Sequence, residues 1–480
     1  MKNTNNVVNK NSFKLNYKRT FIIGFAFFGI LLLWQVYDSW CPTFLTELFK
    51  EYFSKESTEE VQYLVGIMMA LDNLAALILL PIFGSLSDKT HTKIGKRMPY
   101  ILIGTFCCAV AFPFIPVLFH YHNVWGTVAL MAVVVLFAMM YRNPAVALMP
   151  DMTPKPLRSK ANGIINIMGY IGGAFATVVG LIFVLSDYLG ENSELWRSFS
   201  ANIWWVEAPF LIASVLMLVS ALVLFFNIKE NKIEEEMADE MKRGEEVAAI
   251  ADSVVDDEKQ KMSKANKIML FLILGAEFFW FMADNGVGTF MGNYTLYYLH
   301  CKTSALMINT ILGGIGSVIG FVVGGILASK IGRKWTIFTG LGISVASVAV
   351  WMILSYAMPV SVPTSGYNSF PIYIYVIWLL KGFGMSLVHV NSFPMVVELC
   401  SNKKIGRFTG YYYASSMAAQ TITPCLLGLL LLNPDFGFQE LPIYALACLG
   451  VSLIIFAFVK SVKNKKTTIK KGLAALDVDD

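Results

Sequence analysis

The amino-acid sequence predicts an all-α membrane protein in which twelve transmembrane helices form two similar six-helix bundles. Three observations predict this fold class: long apolar runs, basic residues concentrated in alternate turns, and motifs that recur at nearly one offset in both halves. No alternation typical of a transmembrane β-barrel is visible. Helices therefore have to satisfy the backbone hydrogen bonds within the lipid.

The apolar runs set the number of spans. The chain has 480 residues, of which 56% are hydrophobic and 15% charged, whereas about 25% of the residues in soluble domains are charged. An apolar run of about 18 or more residues predicts a membrane-spanning helix. The first run is too long for the core of a secretory signal, and we interpret it as a retained helix. Spans 1 to 12 are predicted at residues 20–41, 61–86, 99–118, 125–149, 161–186, 206–227, 267–292, 304–328, 335–357, 371–396, 407–432 and 441–461.

The basic residues predict the orientation. With both termini on one side, the tails and the short even-numbered turns carry 24 Lys and Arg residues, against four in the odd-numbered turns. Because cytoplasmic turns are enriched in positive charge, both termini are predicted to be cytoplasmic. Several Trp residues lie at predicted span ends, as an interfacial aromatic belt requires.

A long polar segment divides the chain into two halves. The predicted organisation is a cytoplasmic N-tail (1–19), an N-terminal bundle (20–227), a cytoplasmic linker (228–266), a C-terminal bundle (267–461) and a cytoplasmic C-tail (462–480). The linker has mixed charge and is expected to be solvated and partly helical. The sequence assigns it no function.

The two halves resemble each other. "WQVYDSWCPTF" begins at Trp34 and "WFMADNGVGTF" at Trp280, so Trp, Asp, Thr and Phe recur at an offset of 246. Asp151 and Glu398 recur at an offset of 247, in the same helix order. Six-plus-six repeats are a transporter architecture in which the ligand binds near the bilayer midplane between the halves.

The turn after span 2 resembles a signature of the major facilitator superfamily, Gly-x-x-x-Asp-(Arg/Lys)-x-Gly-x-(Arg/Lys), and here it reads "GSLSDKTHTKIGKR" from Gly84. The longer stretches "DNLAALILLPIFGSLSDKTHTKIGKRMPY" and "YRNPAVALMPDMTPKPLRSKANG" are similar to the branch of sucrose–proton and glycoside–pentoside–hexuronide:cation symporters. The resemblance covers nearly the whole chain and implies a cation-coupled sugar transporter. Two positions depart from the pattern: Lys96 stands where Arg is usual, and Ser329 where the second copy would have Asp.

The charged turns predict a cytoplasmic gate. Asp88 is expected to pair with a basic residue, or to cap a helix, in the other half. Such contacts would hold the cytoplasmic side closed and break when the halves rock. The alternative is that the positive charge only fixes the topology. The predicted gate residues are Asp88, Gly95, Arg97, Asp151 with Arg158, and Glu398 with Arg407.

Ionisable side chains within the spans are the sharpest functional signal. A charge near the bilayer centre costs about 2.5–3.5 kcal/mol on the insertion scale, so such a residue faces a cavity or a partner. Asp72 is the preferred proton-binding carboxylate, because burial favours the neutral acid and an approaching cation favours the charged form. The alternative is a fixed buried ion pair. The proton-coupling candidates are Asp72, Asp38 as second choice, Arg142, Asp284, Lys381 and His389, and Glu277 lies on nearly the same helical face as Asp284.

Sugar recognition needs partners for hydroxyl groups and flat apolar faces for the ring. Each suitable side chain can also be a packing residue. The substrate-binding candidates are Trp34, Gln35, Tyr37, Asn73, Asn166, Trp280, Asn285 and Asn391, with Asn162, Tyr411, Tyr412 and Tyr413 as further residues of suitable chemistry.

The function predicted from these features is proton-coupled import of a sugar or glycoside, such as the disaccharides sucrose or maltose, by alternating access in the plasma membrane. The substrate class and the cation follow from the resemblance. Alternatives are sodium coupling, export of another small solute, and a non-transporting membrane sensor. An enzyme is not expected, because the sequence has no nucleophile–base or metal-ligand spacing. We expect no cofactor, no metal and no nucleic-acid partner, and a monomer in the lipid bilayer.

Overall fold

The computed structural model describes residues 13–185, 203–255, 264–358, 360–364, 366–399, 405–433 and 436–460. These residues are almost entirely helical, apart from one isolated β-bridge between Cys301 and Asn368. Most of the predicted N-tail, the whole C-tail and the end of the predicted linker lie outside the described residues. The fold class predicted from the sequence is confirmed.

The described part of the N-terminal half contains seven helices, and a linker helix follows it. Their bounds are α1 (Tyr17–Tyr52), α2 (Gln62–Lys89), α3 (Met98–Ala111), α4 (Phe114–His120), α5 (Val124–Asp151), α6 (Arg158–Ile182), α7 (Ile203–Asn227) and the linker helix α8 (Glu230–Val255). Predicted span 3 is divided between α3 and α4 by a break at Phe112–Pro113. Proline cannot donate the backbone hydrogen bond that a continuous helix needs, which explains the break.

The residues described in the C-terminal half form six α-helices. Their bounds are α9 (Lys264–Asn293), continued by a π-helical segment (Tyr294–Tyr298), α10 (Thr303–Ile331), α11 (Arg333–Ala357), α12 (Ile372–Val397), α13 (Ile405–Leu430) and α14 (Leu441–Ala457). Eleven helical stretches of the described chain are long and apolar enough to cross a membrane. The predicted span 11 corresponds to α13, which has 26 residues. Its polar side chains, among them Gln420 and Thr423, lower its hydropathy.

Each half has its own hydrophobic core. In the N-terminal core, Phe44 stacks on Phe119 with ring centroids 4.1 Å apart, and Phe210 packs against both Phe44 and Trp40. The C-terminal core contains Trp280 and Trp351, both fully buried. Lipid solvates apolar surfaces as well as a protein core does, so van der Waals packing and small residues have to hold the helices together.

The two bundles touch at their outer ends. A Cβ on Gly66 of α2 would overlap the carbonyl oxygen of Pro424 of α13, and one on Gly428 would lie 2.6 Å from the carbonyl oxygen of Gln62. Tyr297 donates a hydrogen bond of 2.6 Å to Glu47 of α1. At the basic, cytoplasmic ends, Arg97 pairs with Asp88 and Arg333 with Glu398, each within one half. The contacts described here between the two bundles therefore lie at their outer ends.

The linker helix α8 docks on the cytoplasmic face of the N-terminal bundle. The Glu230 carboxylate accepts hydrogen bonds from the backbone N–H groups of Arg97 and Met98, at 3.0 Å and 3.1 Å, and so caps the start of α3. Gly95 has φ +117°, and a Cβ there would overlap Glu230. Asn231 donates to the carbonyl oxygen of Thr92 at 2.9 Å. The turn between α2 and α3 is thus the docking site of the linker helix α8.

Candidate functional site

A cluster of charged and aromatic side chains lies at mid-depth in the N-terminal bundle. The Tyr37 hydroxyl of α1 donates a hydrogen bond of 2.7 Å to the carboxylate of Asp72 on α2. Asp38 interacts electrostatically with Asp72 and with Arg142 of α5. The Arg142 guanidinium lies 5.9 Å from the centre of the Trp34 ring. Five residues predicted from three separate spans therefore meet in one place.

Asp38 is the accessible member of this cluster, although it lies in the middle of a 36-residue helix. A carboxylate at this depth that has an arginine as its electrostatic partner faces an aqueous cavity, since lipid exposure would leave the charge unsolvated. Asp72 is half-buried, and its other side borders a groove of about 290 Å³ between α2 and α5, whose remaining lining is apolar. The groove offers a sugar no hydrogen-bonding partners besides Asp72.

The C-terminal bundle holds a matching cluster. The Lys381 ammonium of α12 contacts the Asp284 carboxylate of α9 at 2.6 Å. The Asp284 side chain is 40% exposed and the Lys381 side chain 10% exposed. His389 of α12 also interacts electrostatically with Asp284, and its ring stacks on Phe281 with centroids 5.4 Å apart. The partly exposed Asp284 therefore has two basic groups of α12 as electrostatic partners.

The two clusters occupy equivalent positions in the repeat. Asp284 is offset by 246 residues from Asp38, and His389 by 247 residues from Arg142. Each half thus contributes an accessible aspartate with a basic partner from its fourth span. Lys381 has no basic counterpart, because Val134 occupies the corresponding position. Both clusters therefore contain an aspartate and a basic residue of the fourth span, but only the C-terminal cluster also contains a lysine.

An exposed polar stripe runs along α6. Asn162, Asn166 and Tyr170 are exposed, and their spacing of four residues places them on one side of the helix. The exposed residues on the adjoining side, such as Ile167 and Ile171, are apolar. The apolar side fits lipid, and the polar side fits a water-filled cavity. Tyr170 was not predicted from the sequence, although its spacing from Asn166 would have indicated it.

Several predicted substrate-binding residues are packing residues in this conformation. Trp280 is fully buried. Asn391 is buried and donates to backbone carbonyl oxygens of Leu387 and Gly324, at 2.9 Å and 3.4 Å. Asn73 donates to the carbonyl oxygen of Gln420 at 3.2 Å, and so joins α2 to α13. The amide groups of Asn391 and Asn73 therefore donate hydrogen bonds within helix contacts, and the Trp280 ring has no access to solvent.

Other residues of this set remain near the cavity. Gln35 is partly buried and donates to the Ser39 hydroxyl on its own helix at 3.1 Å. Asn285 is also partly buried, and its side-chain oxygen has no hydrogen-bond partner. Tyr412 is buried and shares a hydrogen bond of 2.9 Å with Ser392, whereas Tyr413 is exposed.

The charges of the N-terminal gate pair within their own bundle. Arg97 pairs with Asp88 and donates to Asp151 at 2.9 Å, and Lys96 lies 3.4 Å from Asp151. Arg158 donates instead to backbone carbonyl oxygens, at 3.0 Å and 3.1 Å. The expectation that Asp88 pairs with the other half is not met in this conformation. The reason is that the turns after α2 and α5 are neighbours, because those two helices pack together.

The charges of the C-terminal gate also pair within their own bundle. Arg333 at the start of α11 donates to Glu398 at 2.7 Å, and Arg407 interacts with Tyr411 on its own helix. Arg333 takes the role that Arg97 has in the first half, with Glu398 in place of Asp151. Sequence reasoning singled out neither Arg333 nor Glu230, although the repeat pattern could have indicated Arg333.

Comparison with known proteins decides the family. The family model of the Major Facilitator Superfamily matches residues 23–363 and 273–477. The chain belongs to the Major Facilitator Superfamily. An isoprimeverose transporter of Lactiplantibacillus pentosus is 31% identical over 159 residues. That match covers 31% of this chain and 30% of the relative.

Solved structures of the superfamily share the fold. The xylose transporter XylE from E. coli in a partially occluded inward open conformation has a TM-score of 0.63 at 15% identity, covering 93% of this chain and 99% of that chain. A bacterial homologue of the iron transporter ferroportin, in an inward-facing state, has a TM-score of 0.63 at 14% identity, covering 92% and 99%. The family match shows a multi-pass membrane transporter of this superfamily, and the recognition made from the sequence is confirmed.

Proposed function

We propose that this chain imports a sugar of disaccharide size together with protons across the plasma membrane, as a monomer that works by alternating access. The observation that carries the proposal is the pair of matched charge clusters, Asp38 with Arg142 and Asp284 with Lys381. They lie at equivalent depths in two bundles that are closed on the outside. Such a placement is the one expected for a ligand site between the halves.

A sugar is supported by the chemistry around these charges. Trp34 offers an aromatic face beside Arg142, and α6 presents Asn162, Asn166 and Tyr170 as hydrogen-bonding groups. The similarity to an isoprimeverose transporter supports the same class of substrate. Isoprimeverose is a disaccharide, and it is the first substrate to test.

Proton coupling is supported by the surroundings of Asp72. Its carboxylate has one hydrogen-bond donor, Tyr37, and a second carboxylate, Asp38, nearby. Two acidic groups at short range disfavour double ionisation, so one of them tends to hold a proton. Movement of Arg142 towards this pair during the cycle would favour release of that proton, and movement away would favour uptake of a new one.

The test is uptake of radiolabelled isoprimeverose, sucrose and maltose into proteoliposomes under an inward proton gradient. We expect one sugar to accumulate, and a protonophore to abolish the accumulation. Asp72→Asn should lose accumulation but keep exchange of labelled for unlabelled sugar, because exchange needs no net proton movement. Asp239→Asn, on the exposed side of α8, is the matched control and should behave as the wild type.

Accumulation that survives both the protonophore and Asp72→Asn contradicts the proton claim. A sodium gradient that drives uptake at equal pH on both sides would replace the proton by sodium on the same fold. Failure of all three sugars, with the protein shown to be folded, contradicts the proposed substrate class.

A further inference from the structure

Glu277 on α9 is a buried acid that the proposed cycle does not yet use. It is fully buried, and neither of its carboxylate oxygens has a hydrogen-bond partner. A carboxylate without a partner in such a place is costly, whereas a neutral carboxylic acid is tolerated. The geometry therefore favours a Glu277 side chain that carries a proton in this conformation.

Glu277 lies in line with the charge cluster of its bundle. Phe281 and Asp284 follow it by four and seven residues, which places all three on one face of α9. At a rise of 1.5 Å per residue, Glu277 lies about 10 Å from Asp284 along the helix, on its cytoplasmic side.

Polar groups of two neighbouring helices lie along this interval. His389 of α12 interacts with Asp284 and stacks on Phe281, and its Nε2 atom is buried without a partner. One turn further along α12, the Ser392 hydroxyl bonds with that of Tyr412 of α13 at 2.9 Å. Tyr412 in turn interacts electrostatically with Glu277.

Uncharged polar groups lie near Glu277 on the neighbouring helices. From α13 it is approached by Tyr412, whose hydroxyl shares a hydrogen bond with Ser392 of α12. From α14, Ser452 donates to the neighbouring Ala276 carbonyl oxygen at 2.9 Å. Along this face of α9, Asp284 with its partner Lys381 lies about two turns from Glu277.

We propose that Glu277 is a second proton-binding site of the transport cycle, placed between the Asp284–Lys381 pair and the cytoplasm. A proton that leaves the central cluster passes to His389 Nε2, which then gives it to the Glu277 carboxylate. There an O–H bond forms and the negative charge disappears. When that bond breaks again, the proton goes to water on the cytoplasmic side. This inference rests on the proposed proton coupling.

The test uses purified full-length protein with Glu277→Gln, which keeps the shape and cannot ionise, and Glu277→Asp, which keeps the acid. Glu207→Gln is the matched control, because Glu207 is also buried but lies at the outer end of the other bundle with His120 as partner. Thermal unfolding in detergent first confirms that each variant is folded. Infrared difference spectra on a pH step then report the C=O stretching band of a buried neutral carboxylic acid.

We expect this band at full intensity in the wild type, in Glu277→Asp and in Glu207→Gln. In Glu277→Gln it should lose the component that belongs to Glu277 and keep the component from the Asp38–Asp72 pair. In proteoliposomes, Glu277→Gln should lose proton-driven accumulation of the transported sugar by about tenfold or more, with exchange changed by less than about twofold. Glu277→Asp should recover part of the accumulation.

Two negative results are distinguishable. If wild-type accumulation responds to the protonophore, but Glu277→Gln accumulates sugar as the wild type does, this inference is overturned and the proposed function stands. If wild-type accumulation ignores the protonophore, the proposed coupling fails and the relay fails with it. A band of the same intensity in Glu277→Gln and in the wild type overturns the assignment of the proton to Glu277, whatever the transport assay gives.

Discussion

Replacing Asn293 by alanine should weaken the outer closure between the two bundles. Asn293 is fully buried at the end of α9. It accepts a hydrogen bond from Thr43 at 3.2 Å and donates to Thr46 at 3.0 Å and to Gln62 at 2.9 Å. All three partners belong to the N-terminal bundle, so these bonds can form only while the outer side is closed.

The size of the effect follows from these bonds. A buried hydrogen bond contributes about 0.5–1.5 kcal/mol net, so three contribute roughly 1.5–4.5 kcal/mol. Water that enters the vacated space recovers part of this. We therefore expect a loss of about 1.5–3 kcal/mol, which raises the ratio of outward-open to inward-open molecules about 10- to 100-fold.

The assay is a distance distribution between spin labels on two exposed outer residues, Glu56 of the first half and Val362 of the second, introduced as cysteines after replacement of the native ones. Asn293→Ala should increase the long-distance population. Tyr297→Phe, which loses one bond to Glu47, should do so to a smaller extent. Tyr298→Phe is the control, because Tyr298 packs on Tyr294 within its own bundle.

An unchanged distance distribution in Asn293→Ala would refute the reasoning. It would mean that the apolar contacts between α2 and α13 set the closure and that the buried polar network adds nothing. A shift of equal size in Tyr298→Phe would refute it as well, because the effect would then not depend on bonds between the bundles.

Three further predictions concern separate contacts. Asp284→Asn should lower the Tm in detergent, because it leaves the nearly buried Lys381 ammonium without its partner. Breaking an ion pair costs about 3–5 kcal/mol when the pair is fully buried, and less when one partner is partly exposed as here. The double variant Asp284→Asn/Lys381→Met should recover part of the lost Tm. No recovery in the double variant would contradict this explanation of the Tm loss. Gly66→Ala should force α2 away from Pro424 of α13 and slow exchange of the transported sugar, and an unchanged exchange rate would show that this contact opens freely. Burial raises the pKa of the Glu230 carboxyl, although backbone N–H groups partly offset it. Its native pKa lies above its unfolded value, so the protein loses stability as the pH rises above the usual glutamate value of about 4.3. The Tm of Glu230→Gln should therefore improve relative to the wild type as the pH rises above that value, and a constant difference would contradict the assignment.

The architecture was readable from the sequence because membrane spans obey a simple rule. Length and hydropathy fix where a helix must be, and the positions of Lys and Arg fix the side on which it ends. The break within span 3 shows the limit of that rule, since hydropathy does not register Pro113. The polar helix α13 shows the same limit. It packs between α2 and α9, where polar side chains are tolerated that would be costly in contact with lipid.

The charged positions of the site were also readable, because charge in a span is costly enough to require a cavity or a partner. Asp38 and Arg142 lie together, and Asp284 lies beside Lys381. The cost of burial does not divide the uncharged candidates into binding residues and packing residues. Asparagine and tryptophan cost little on either side of a helix, so the sequence could not tell the buried Trp280 from the accessible Asn166.

The gate partners could not be predicted for a different reason. Asp88 has a basic residue available in its own turn, and which partner it takes depends on how the two halves are oriented. In this structure it pairs with Arg97. A sequence specifies the charges that can pair, whereas the conformational state selects the pairs that form.

The most direct measurement of the central claim is the pH inside proteoliposomes while isoprimeverose is added outside. The wild type should acidify the lumen in step with sugar entry, and Asp72→Asn should admit sugar only by exchange, without acidification. Sugar that enters the wild-type vesicles with no movement of protons would contradict the account.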